Sequence, residues 1–123
     1  MHAQLGVVSV PVSDQQRAKK FYSEVLGFSV LNDAPFKADA RWIEMAPNGK
    51  GRPSITLVNW FESMPAGSLK GLVLMSQDLD SDYKALTSRG CQASAIQNAP
   101  WGRYTTFSDP DGNGWVLQEN PRS

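Results

Sequence analysis

The sequence predicts an α+β domain in which one unit, strand–helix–strand–strand–strand, is written twice. Three observations carry this. An amphipathic helix pattern occurs twice, each time after an apolar strand-like run. The glycines that end the two helices, Gly27 and Gly90, stand 63 residues apart. The hairpin turns that follow, Pro47-Asn48-Gly49 and Pro110-Asp111-Gly112, are also 63 residues apart. Equal spacing of unlike features marks an internal repeat, and a repeat unit with one uncovered face needs its twin.

Each element has its own reason. "VVSVPV" (Val7 to Val12) reads as the first strand. Asp14 is a good helix N-cap, and Ala18, Phe21, Tyr22, Val25 and Leu26 follow at i, i+3, i+4, i+7 and i+8 before Gly27 stops the helix. "ARWIEMA" and "SITLVNW" flank the first hairpin turn, whose loop is about three residues longer than the second. "ESMPAGSL" (Glu62 to Leu69) links the units. "GLVLMS" (Gly71 to Ser76) opens the second unit. Leu79, Tyr83 and Leu86 form its helix, capped by Asp78 or Asp80. "RYTTFS" and "GWVLQE" flank the last turn, Asp109-Pro110-Asp111-Gly112, which has the type I pattern of Asp at i, Pro at i+1 and Gly at i+3. The expectation is a single domain over residues 1–123, with repeat 1 at about 5–61 and repeat 2 at about 69–120.

Composition narrows the function classes. The 123 residues suffice for one domain with a real core. Apolar residues make up 41% and charged residues 20%, which suits a folded chain. Twelve basic and twelve acidic side chains cancel, and no basic run suggests nucleic acid. No apolar stretch has the length of a membrane span. The amino terminus lacks the pattern of a signal peptide. The lone cysteine, Cys91, follows Gly90 at an expected strand start and reads as a buried small hydrophobe. A cytoplasmic location is expected.

Two motifs carry a resemblance: "SDQQRAKKFYSEVLGF" (Ser13 to Phe28) and "DPDGNGWVLQ" (Asp109 to Gln118). With the order of elements between them, the chain resembles the vicinal oxygen chelate superfamily, which includes glyoxalase I, extradiol dioxygenases and the fosfomycin- and bleomycin-resistance proteins. The resemblance implies two βαβββ modules forming a half-open mixed sheet around a cavity, commonly in a homodimer. It also implies four strand positions for metal ligands. Here they fall on Val7, Thr56, Gly71 (or Lys70) and Val116. These side chains are poor partners for a divalent ion, which takes imidazole, thiolate or carboxylate. The only histidine is His2, near the amino terminus. No metal and no other cofactor are expected. Since the family's catalysis depends on that metal, no catalytic residue is carried over.

Strand alternation then selects the candidate ligand-facing residues. If Val7, Thr56 and Val116 face the cavity, so do Ser9, Val58, Trp60 and Gln118, while Val8, Val10, Val12, Ile55 and Leu57 face the helices. Trp42, Trp60 and Trp101 are candidate walls of an aromatic pocket or else packing residues, and Trp115 is placed in the core. Aromatic walls with a few aimed polar groups are what a small-molecule site needs. Arg103, in "NAPWGRY", is a candidate to hold an acidic group. Glu44 is a candidate to pair with Arg103 or to accept from a ligand amine or hydroxyl. The leading expectation is a metal-free, homodimeric binder of a small, partly aromatic organic molecule, with drug or natural-product sequestration as one form. The alternative is a glyoxalase-like lyase or isomerase, or a dioxygenase-like enzyme, with Glu44 or Arg103 doing proton or charge work. A purely structural dimer is the third reading.

Overall fold

The structure is a computed structural model that describes residues 1–47, 49 and 51–119. Asn48 of the first expected turn and Asn120, the expected end of the second repeat, lie outside the described residues. The elements are β1 (Val7–Pro11), α1 (Gln15–Glu24), β2 (Ser29–Lys37), β3 (Ala40–Ala46) and β4 (Ser54–Val58), then β5 (Leu72–Ser76), α2 (Leu79–Ser88), β6 (Gln97–Ala99), β7 (Gly102–Ser108) and β8 (Gly114–Glu119). The βαβββ order therefore occurs twice. Each module makes a four-stranded sheet, in the orders β1-β4-β3-β2 and β5-β8-β7-β6. In both, the first and last strands pair in parallel and the remaining pairs are antiparallel. No helix among the described residues is long and apolar enough to cross a membrane.

The helices begin where capping chemistry dictates. Asp14 accepts from the Arg17 amide, and Asp78, rather than Asp80, accepts from the Ser81 amide. Ala18 and Tyr22 are buried, with Phe21, Val25 and Leu26 packed around them. Gly27 turns the chain at φ 74°, and the Phe28 amide reaches back to the Tyr22 carbonyl. One core serves both modules: Val10, Ile43, Met45, Ile55 and Leu57 join Leu79, Leu86, Phe107, Trp115 and Leu117. Val8 is only half-buried and is not part of it. Cys91 is not in a strand. It is half-buried against the core, and burial raises its thiol pKa.

A polar seam joins the modules. Asp109 is 5% exposed and heads the β7–β8 turn, where the Gly112 amide reaches its carbonyl at 3.0 Å. Its Oδ1 accepts from the amides of Asp111 and Asn113, and its Oδ2 accepts from Tyr22 Oη at 2.7 Å and Asn113 Nδ2 at 2.8 Å. Asn113 also donates to the Pro11 carbonyl, and Trp115 Nε1 donates to Tyr22 Oη. Nearby, Ser13 Oγ meets Asp111, and Arg17 donates to the Pro110 carbonyl. Burial, then the charge of Asp109, raises the Tyr22 pKa, so the phenol stays protonated and donates. Gly67, in the link, has φ 80° and donates to the Pro11 carbonyl, and a Cβ there would overlap the Asp111 carbonyl.

On the other side of α1, Asp33 of β2 takes Arg41 through two bonds, at 3.0 and 2.7 Å, and Lys19 at 2.7 Å. The Arg41 and Lys19 hydrogen bonds hold its carboxyl well below the usual carboxylate range. A carboxylate with a depressed folded-state pKa contributes stability that is full above its unfolded value, about 3.9, and lost as pH falls through the folded one. Acidification below about pH 4 is therefore expected to lower the urea midpoint of the wild type more steeply than that of Asp33→Asn. Parallel midpoints across pH 5 to 2.5 would show the cluster to be neutral.

Candidate functional site

Alternation around the core residues leaves one side of the β1–β4 sheet to the candidate site. Ile43, Met45, Ile55 and Leu57 point to the helices, so Trp42, Glu44, Thr56 and Val58 point away from them. Pairing lines them up: Ser9 lies opposite Thr56, and Thr56 opposite Glu44. Ser9, Trp42, Glu44, Thr56 and Val58 are thus brought onto one face; the sequence alternation groups Ser9, Thr56 and Val58, and Trp42 and Glu44 join them. Trp60 continues their row two residues past Val58.

One end of this face is aromatic. Trp42 and Trp60 lie 6.4 Å apart at 26°, and Phe36 closes the triangle at 5.7 Å from Trp42 and 4.8 Å from Trp60. Phe61 extends the group, 6.0 Å from Trp60. Phe36 and Phe61 stay 50% and 46% exposed, and Lys37 Nζ stands 5.7 Å over Phe36 and 5.8 Å over Trp60. The sequence reading missed Phe36, Lys37 and Phe61. Phe36 sits where the β2–β3 register slips between Pro35 and Lys37, and a bulge defeats any count by twos.

The other end is polar. Glu44 is 5% exposed. It accepts from Ser54 Oγ at 2.6 Å and from Arg52 Nε at 3.2 Å. Bonding to Arg52, then to Ser54, lowers its pKa below the ordinary value, so it is an ionised acceptor near neutral pH. Thr56 beside it is 1% exposed, and its hydroxyl has no hydrogen-bond partner among the described residues. The four positions implied for a family metal do not fit one. Val7 and Thr56 lie in one sheet, and Val116 and the segment at Gly71 in the other, with no carboxylate, imidazole or thiolate among their side chains. Among the described residues no three His, Cys, Asp or Glu side chains gather where an ion could be held.

The remaining candidates belong to the β5–β8 sheet. Val116 lies opposite Val73 and Thr106, and Gln118 opposite Met75 and Tyr104. This side is turned away from the core residues Phe107, Trp115 and Leu117. Val116 also borders a cavity of about 690 Å³ at the end of the sheet, with Gly71, Ser94, Thr106 and Phe21. Trp101 does not join Trp42 and Trp60. It stands 59% exposed at the β6–β7 turn, stacked on Tyr104 at 5.9 Å. Arg103 does not meet Glu44. It shares the parity of Thr105 and Phe107, which turns it to the helix side, where it donates to Asp80 at 2.9 Å and Glu119 at 3.0 Å. Bonding to Asp80, then to Glu119, raises its pKa further. The expected Arg103–Glu44 pair fails because the two side chains lie on different sheets. Trp115, as expected, is core at 3% exposure.

Known proteins match this architecture over nearly its whole length. TnmS3, an antibiotic binding protein from Streptomyces sp. CB03234, superposes with a TM-score of 0.90 at 46% identity, over 98% of this chain and 97% of that one. A glyoxalase/bleomycin resistance protein from the same organism gives 0.83 at 47% identity, over 94% and 99%. YetH of Bacillus subtilis is 34% identical over 97% of this chain and all of its own length. Residues 4–117 match the family profile itself, and the chain belongs to the Glyoxalase/Bleomycin resistance protein/Dioxygenase superfamily.

Proposed function

We propose that the protein binds a small, partly aromatic organic molecule without a metal, an antibiotic or related natural product being the favoured class. The carrying observation is the half-exposed aromatic group of Phe36, Trp42, Trp60 and Phe61 beside the polar end at Glu44 and Thr56. Exposed aromatic surface of this density costs solubility and suits a ligand wall. Similarity to the antibiotic-binding TnmS3 supports the same reading. Sequestration needs no chemistry. Arg103 is tied to two carboxylates and Glu44 to Arg52 and Ser54, so the two groups that an enzymatic reading would use already have partners.

The binding unit in this proposal is a homodimer. Val73 and Met75 of β5 are 50% and 49% exposed on the side of Val116 and Gln118. A twofold partner would cover that apolar strand and could bring Val116 and Gln118 of one copy toward the aromatic wall of the other. Native mass spectrometry of protein purified without added metal tests assembly and metal together. The expected result is a dimer mass with no stoichiometric metal. A monomer at micromolar concentration would remove the shared cavity, and one tightly held ion per site would remove the metal-free reading. Binding is tested by saturable quenching of tryptophan fluorescence with planar aromatics.

A further inference from the structure

We propose that Thr56 and Glu44 form a subsite that reads a hydroxyl group on the aromatic ligand. The hydroxyl donates to the Glu44 carboxylate and accepts from the Thr56 hydroxyl. The inference rests on the aromatic-binding reading and adds the substituent that the ligand must carry.

The first reason is the hydroxyl of Thr56. It is 1% exposed and unpartnered among the described residues. Buried polar side chains are paired in most native structures, and an exception calls for a missing partner. The second reason is position. Thr56 and Glu44 are direct cross-strand partners on the face that carries Trp42. Side chains so placed have Cβ atoms roughly 4.5–5.5 Å apart, which puts both polar ends within reach of one ligand group. The third is chemical complementarity. Glu44 is an acceptor only; Trp42 also hydrogen-bonds to it and the contact from Arg52 Nη2 to Oε1 is long at 3.5 Å, so a carboxylate with about four acceptor sites keeps capacity for another donor. Thr56 has a hydrogen to give. A hydroxyl satisfies both. A ligand carboxylate would be repelled by Glu44, and an ammonium would leave the Thr56 hydrogen unused.

The aromatic wall fixes the distance at which the hydroxyl must sit. Trp42 precedes Glu44 by two residues on the same strand, so the wall and the subsite are about 7 Å apart along β3. That is close to the reach of a fused two-ring system bearing one substituent. Arg52 closes the polar end with a side chain that is 60% exposed, and an arm so far into solvent can move aside for entry.

The test uses 2-naphthol and its capped analogue 2-methoxynaphthalene, which has the same rings and an acceptor oxygen but no donor. Wild-type protein should bind 2-naphthol at least fivefold more tightly by tryptophan quenching. Thr56→Val keeps the side-chain shape and removes the hydroxyl. It should weaken 2-naphthol binding about threefold or more, as loss of one hydrogen bond does, while leaving the urea midpoint unchanged or raised, and Thr56→Ser should retain the wild-type affinity. Unchanged 2-naphthol affinity in Thr56→Val overturns the inference. So does a sharply lowered midpoint, which would mean that the hydroxyl already has a partner. If wild type binds both probes equally, the subsite fails and the aromatic wall stands. If neither probe quenches saturably, the aromatic-binding reading fails and takes this inference with it.

Discussion

Asp109→Ala is expected to lower the unfolding free energy by about 3–5 kcal/mol, as loss of one partner in a buried charged network does. Four donors end on this carboxylate: the Tyr22 phenol, the Asn113 amide side chain and two backbone amides of its own turn. Removing it strands them together, and buried donors left unpaired cost about 1–3 kcal/mol each before the structure relaxes. A domain of ordinary stability, about 5–15 kcal/mol, would lose a large share. Urea unfolding monitored by circular dichroism is the measurement. A change below about 1 kcal/mol would mean that water reaches the site and replaces the carboxylate. Tyr22→Phe removes one of the four donors and should cost less.

Trp115→Ala should cost a similar amount, about 3–5 kcal/mol, through the cavity it leaves. Its ring lies 6.3 Å from Phe107 at 4°, 5.8 Å from Tyr22 and 6.0 Å from Phe28. Trp60→Ala should reverse the pattern. It removes part of the exposed wall, so stability should change little while affinity for planar aromatics falls, a stacked ring being worth roughly 1 kcal/mol beyond area burial. Both variants belong in the same urea and quenching experiments. If Trp115→Ala abolished binding in a chain that still folds while Trp60→Ala left binding untouched, the ligand would sit on the helix side of the sheets.

Local chemistry made much of this architecture legible. The cap at Asp14, the stop at Gly27 and the alternation of Val10, Ile55 and Leu57 are set by near neighbours, and near neighbours are adjacent in sequence; the second cap stays open between Asp78 and Asp80 in the sequence, and the structure shows Asp78. The half-open mixed sheet came from the resemblance. Thr56, Glu44 and Trp42 fell on one face because β3 and β4 keep a strict period of two where they pair. Phe36 and Lys37 were missed where that period breaks. Arg103 and Trp101 were mistaken for companions of Glu44 and Trp42 because sequence spacing does not say which sheet meets which. Arg103 was also counted without its partners, and Asp80 lies on a helix 23 residues away. The acidic turn at Asp109 was read for a ligand position at Val116, yet its own side chains form the seam.

The anchoring of Gly67 bears on how copies of this chain can meet. Two chains could trade second modules only if residues 59–71 swung open as a hinge. That would break the bond from Gly67 to the Pro11 carbonyl and draw Gly67 away from Asp111. The Tyr22–Asp109 and Asn113–Pro11 bonds would then have to form again between chains. Every step of the trade returns contacts the single chain already has, and it adds the barrier of opening a pinned link. Association of intact chains avoids that barrier, so protein refolded at high dilution and protein concentrated from the native state should reach the same assembly without a slow exchange phase.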